Sequence, residues 1–203
     1  MNYNSFDNEY YVMSMDGANN HPLLAWGSIN FSPFLKAQPV DESGFTLPLQ
    51  IIFDEPYPKQ YEMADLLMLA SLSAVSGKFK ELFENMNIHG VQFVPIEVTS
   101  NKKEVIKGHW VLHIWNKLEA IDKDNYEGSE PNRFGTILSL VRFSLDAKLL
   151  ESIELNERLI FELSENKMIC LVHQSVYDAI QAAELTGMRF WKVSEWDEDA
   201  LFR

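Results

Sequence analysis

His109 and His113 stand four residues apart, the spacing with which two imidazoles on a helix hold one zinc ion. Their surroundings argue for a strand instead. From Gly108 to Trp115, His109, Val111, His113 and Trp115 alternate with Trp110, Leu112 and Ile114, which is a period of two. Four residues of strand hold the two rings roughly 13 Å apart, beyond the reach of one ion. Trp110 also stands where the helical motif needs glutamate. Both histidines therefore read as half-buried sheet residues, and no metal ligand is assigned.

Cys170 and His173 are three residues apart and would suit a thiol with its base. Cys170 falls inside the apolar run Met168 to Val172, where burial keeps a thiol protonated and inert. Ser76-Gly77-Lys78 is a fragment of a phosphate loop. Leu72 stands where that motif needs its first glycine, however, and Phe79 where it needs Ser or Thr. A helix N-cap accounts for Ser76. Carboxylates are plentiful, but no pair sits in an apolar context that would separate two pKa values for acid-base work. No catalytic residue, metal or cofactor is assigned, and the chain is expected not to be an enzyme.

What remains is acid beside aromatic. Asp122, Asp124, Glu127 and Glu130 share one stretch with Tyr126, offset by Lys123 and Arg133. Near the C-terminus Trp196 stands among Glu195, Asp197, Glu198 and Asp199. An aromatic anchor ringed by carboxylates suits a basic protein target, because the ring buries area while the charge orients the encounter. Equally, Trp196 reads as a plug packed on the domain, with the acids solvating it. The candidate partner-binding residues are Asp122, Asp124, Tyr126, Glu127, Glu130, Trp196, Asp197 and Glu198.

The elements that position these residues are unevenly legible. Residues 9 to 15 read as a strand closed by Asp16-Gly17, and residues 17 to 62 as irregular, with a strand at Leu47 to Phe53. Met63 to Leu72 looks helical. Ser76 caps a second helix, in which Phe79, Leu82, Phe83 and Met86 share a face until Asn87 and Gly90 end it. Val91 to Val98 follows as a strand, with Pro95 pointing to an edge or a bulge. Gly108 to Trp115 reads as a central strand and residues 122 to 134 as an acidic loop.

Further strands are expected at Ile137 to Leu145, Arg158 to Leu163, Met168 to Val172 and Met188 to Val193. Between the last two, Ser175 caps a helix closed by Thr186-Gly187. This pattern predicts an α+β fold, with a mixed or mostly antiparallel sheet and about three helices. A single domain over 1–203 is expected, with residues 1–60 an irregular N-terminal part and 61–203 the α+β core.

Composition bounds the function classes. The chain has 203 residues, 46% hydrophobic and 23% charged, enough to bury a core without disulfide or metal. Cys170 is its one cysteine, which fits a reducing compartment. The polar start at Met1 to Tyr11 lacks the pattern of a secretory signal, and the longest apolar stretch, Leu66 to Val75, is too short to span a bilayer. A soluble cytoplasmic protein is expected. Thirty acidic against seventeen basic residues give a net charge of −13. Such a surface repels nucleic acid and anionic membranes and speeds encounter with a basic partner. Solubility alone would also account for it.

Several stretches, in order, resemble a family of bacterial immunity proteins (the immunity-protein-eleven type), found beside the toxins of polymorphic and contact-dependent systems. They are Val75 to Leu82, Gly90 to Ile96, His109 to Ile114 followed by Glu119-Ala120-Ile121-Asp122, Arg158 to Leu163, and Leu185 to Phe190. The resemblance spans about residues 60 to 195. It implies stoichiometric inhibition of a cognate toxin, and no catalytic residues are carried over from it. A monomer or homodimer is expected. An acidic inhibitor suits a basic toxin. The alternative left open is an enzyme or small-molecule binder with a site near His109 and His113.

Overall fold

The computed structural model describes residues 1–17 and 20–200. The chain opens with α1 (Phe6–Glu9), β1 (Tyr10–Met15), β2 (Leu24–Ala25), β3 (Leu49–Phe53), β4 (Leu66–Leu69), β5 (Leu72–Ser76) and α2 (Gly77–Asn85). It continues through β6 (Val91–Thr99), β7 (Val105–Ile114), β8 (Lys117–Leu118), β9 (Ile121–Gly128), β10 (Leu140–Leu145) and α3 (Ala147–Ser152). It closes with β11 (Ile160–Leu163), β12 (Cys170–His173), α4 (Gln174–Ala182) and β13 (Met188–Lys192). The α+β expectation holds, with four α-helices among the described residues and both mixed and antiparallel sheets.

Alternation along the strands builds the first layer. Strands β2-β3-β6-β7-β5-β4 close into a barrel. Its interior takes Ile51, Phe53, Leu67, Leu69, Val94, Ile96, Val98 and Val111, while Leu112, Ile114 and Val75 face outward into a second core. Pro95 lacks the amide that a ladder needs. It sits just before β6 begins pairing with β3 at Leu49↔Ile96, and an irregularity falls between Ile96 and Val98. The strand is interior to the barrel, and the proline lies opposite Trp110 of β7 with no register partner in β3.

The second layer is a five-stranded sheet, β13-β1-β12-β11-β8. One face, through Tyr11, Met13, Ile160 and Val172, packs with the outside of the barrel and with Phe79, Phe83, Val176 and Ile180 of α2 and α4. The other face, through Tyr10, Val12, Phe161 and Leu171, packs under the antiparallel pair β9–β10. The first sixty residues belong to both layers: β1 lies inside the five-stranded sheet and β2 and β3 complete the barrel.

Four local expectations are corrected. Met63 to Leu72 is no helix; it contains β4 and the turn into β5, with Ala70 at φ 50°. A short apolar run has no periodicity to separate helix from strand, and here Leu66 faces one core and Leu67 the other. The acidic stretch 122 to 134 is strand as far as Gly128. Helix α4 is capped by His173, whose side chain accepts from the Ser175 amide. The left-handed residue that follows α4 is Glu184, at φ 50°. Gly187, at φ 88°, instead lets the chain pass β4, where a Cβ would come within 2.2 Å of the Leu66 carbonyl oxygen.

Candidate functional site

Pairing brings together acids that are far apart in sequence. Strand β9 pairs with β10 through Glu127↔Arg142 and Tyr126↔Phe143. On the other side of β10, the Glu198 amide donates to the Val141 carbonyl at 3.1 Å. The C-terminal acids and those of β9 therefore flank the same strand. Asp124, Glu127, Glu130 and Glu198 are exposed, while Asp122, Tyr126 and Asp197 are half-buried. The Asp197 carboxylate lies 3.9 Å from the Arg142 guanidinium. The hairpin is anchored from below by Asp7, fully buried, which accepts from the Leu145 amide, the Ser144 hydroxyl and the Asn4 amide.

Trp196 is the correction within this set. It is only 6% exposed, with its ring edge-on to Phe143 at 5.4 Å between centroids. The plug reading describes it, and the anchor reading does not: a ring already buried by its own domain has no face left for a partner. Exposed apolar surface lies elsewhere. In the loop joining β9 to β10, Phe134 is 76% and Leu138 78% exposed. The sequence signal for Phe134 is an aromatic within a polar loop, Pro131-Asn132-Arg133-Phe134-Gly135.

Beneath that loop is a cavity of about 340 Å³. Tyr126 and Glu130 line it, together with Glu119, Lys123, Phe134 and Glu165. Glu165 follows β11 and ties the region together: Oε1 accepts from the Ile121 amide at 3.0 Å, and its carbonyl accepts from the Ile137 amide at 2.8 Å. Burial pushes its carboxyl above the ordinary glutamate value. No sequence signal marks Glu165, because its partners, Ile121 and Ile137, come from elements far away in the chain.

The other sequence candidates are structural. His113 is fully buried, with Nε2 2.9 Å from the Gln38 carbonyl oxygen and its ring edge-on to Phe34. His109 is also buried, and burial lowers the pKa of both. Among the described residues no three His, Cys, Asp or Glu side chains converge as metal ligands. The Cys170 thiol is pushed well above its ordinary value, first by burial and then by Glu162. Nδ1 of His173 is engaged with Ser175 in the helix cap, 2.9 Å from its hydroxyl. Ser76 accepts from the Phe79 amide as the N-cap of α2.

A family model described as Immunity protein family (Imm11) matches residues 13–195. The chain belongs to this family. The match extends the likeness expected for residues 60 to 195 back into β1 and across β2 and β3, so it takes in strands of both layers of this chain. No curated protein matches the chain. Membership points to an immunity role and implies a cognate toxin as partner. Among the described residues, no helix is long and apolar enough to cross a membrane.

Proposed function

We propose that this chain binds its cognate toxin one-to-one in the cytoplasm of the producing cell and blocks it without turnover. The family match over residues 13–195 is the observation that carries this reading. The hairpin β9–β10 supplies the contact surface: Asp124, Glu127 and Glu130 from one side, Glu198 from the other, and Phe134 and Leu138 as exposed apolar area at its tip. Apolar residues that solvent leaves uncovered suit the centre of an interface, and the surrounding acids orient a basic partner. With a net charge of −13, the whole molecule would accelerate capture of a cationic toxin.

Growth of cells that carry the toxin tests this directly. Survival is expected only when this chain is expressed beside it, and killing that the chain leaves unaltered would reject the reading. A small-molecule site near His109 and His113 gains no support: the histidines are buried, and His113 turns its Nε2 to a carbonyl of its own chain.

A further inference from the structure

Glu165 carries an unmatched atom. Its residue is 8% exposed, and although Oε1 is bonded to the Ile121 amide, Oε2 is buried with no hydrogen-bond partner among the described residues. A buried carboxylate oxygen left unpaired is costly, so a native site that keeps one calls for an explanation. Glu165 is part of the cavity wall beneath the β9–β10 loop, together with Glu119 and Glu130 against Lys123 as the one cation of the lining. Apolar and aromatic wall comes from Ile121, Tyr126, Phe134 and Ile137.

Carboxylate and aromatic surface in one small cavity is the chemistry that receives a guanidinium. That group is planar, forks two donors toward a carboxylate, and lies against aromatic faces more readily than an ammonium does. Phe134 already shows this affinity, holding the Arg133 guanidinium 4.6 Å from its ring centroid. At about 340 Å³ the cavity is near the lower bound of ligand sites, fit for one side chain rather than a large cofactor. Phe134 and Leu138, exposed in the same loop, are surface that a macromolecular occupant would cover and a free small cation would not.

We infer that this cavity receives an arginine side chain of the toxin, its guanidinium against Glu165 and Glu130 and its stem along Phe134 and Tyr126. The inference rests on the immunity reading for its partner, but the receptor can be tested without it.

Glu165→Gln keeps an Oε1 acceptor for Ile121 and replaces the Oε2 acceptor with a neutral amide nitrogen that repels a guanidinium's donors. Burial raises the Glu165 carboxyl, so its contribution to stability is present below the ordinary glutamate range and lost as pH rises through the raised value. The neutral glutamine is therefore expected to be at least as heat-stable as wild type at pH 7 and above. Phe134→Ala, at an exposed position, is also expected to leave the Tm unchanged.

Wild type and both variants are compared for binding to the purified cognate toxin. Separately, they are titrated with Nα-acetyl-arginine N-methylamide, followed by the amide resonances of Ile121 and Glu165, with the citrulline counterpart as neutral control. E165Q is expected to bind toxin roughly 10- to 100-fold more weakly with its Tm intact. Equal toxin binding by wild type and both variants overturns the receptor and leaves the immunity reading standing. If wild type fails to bind toxin, the immunity reading falls and the arginine derivative decides the cavity. Saturable shifts that E165Q and citrulline abolish then uphold a guanidinium receptor; no shifts, or equal shifts with citrulline, overturn it.

Discussion

Trp196 shows how a single residue type leaves a question open that packing closes. A tryptophan among four acids has the composition of an interface anchor, and equally that of a domain plug. Spacing does not separate them, because both need an apolar ring in a polar segment. The deciding fact is tertiary: Phe143 of β10 covers the ring. Trp196→Ala is therefore expected to lower the unfolding free energy in urea by about 3–5 kcal/mol. Trp196→Phe should cost much less, since the indole Nε1 has no hydrogen-bond partner to lose among the described residues. Unchanged stability in the alanine variant with lost toxin binding would restore the anchor reading. Glu165 is the opposite case, a residue illegible in sequence because its role depends on an amide from β9 and a cavity closed by a distant loop.

Elements were legible where one physical signal dominated. Strand β7 ends in an unbroken run of bulky residues from His109 to Ile114, and Ser76 precedes apolar residues at helical spacing, so both are readable. Strand β9 was not, because Ile121 is its only fully buried residue and its strand character comes from pairing with β10. The segment 66–69 is ambiguous in sequence because an uninterrupted apolar run fits a strand and a buried helix alike. Asp65, just before β4, links three elements. Its Oδ1 accepts from the Ser76 hydroxyl at 2.6 Å, and its Oδ2 accepts from the Thr186 amide at 2.9 Å. Ser76→Ala removes both the cap on Phe79 and the bond to Asp65. The expected loss is about 1–2 kcal/mol in denaturant unfolding. A loss near zero would mean that the cap contributes nothing once α2 is packed.

For the molecule as a whole, charge and family speak to different questions. Net charge concerns how fast a partner arrives, and the family concerns what the partner is. Reversing Asp124 and Glu127 to lysine, both exposed on β9, is expected to slow toxin association severalfold and flatten its salt dependence, with dissociation less affected. An unchanged association rate would remove the β9 face from the encounter. The ordered stretches from Val75 to Phe190 made the family readable, while the first sixty residues hid their place in it. Their strands are short and separated by long connections, so the pairing of β1 with β12 and β13, and of β3 with β6, exists only in three dimensions.

The central claim is stoichiometric neutralisation, and titrating a fixed amount of active toxin with this chain tests it most directly. Toxin activity is expected to fall linearly and reach zero at one equivalent, with a one-to-one complex by light scattering. Full loss of activity at a small fraction of an equivalent would show turnover and make the chain an enzyme. Activity undiminished at excess would show that the toxin is not its partner.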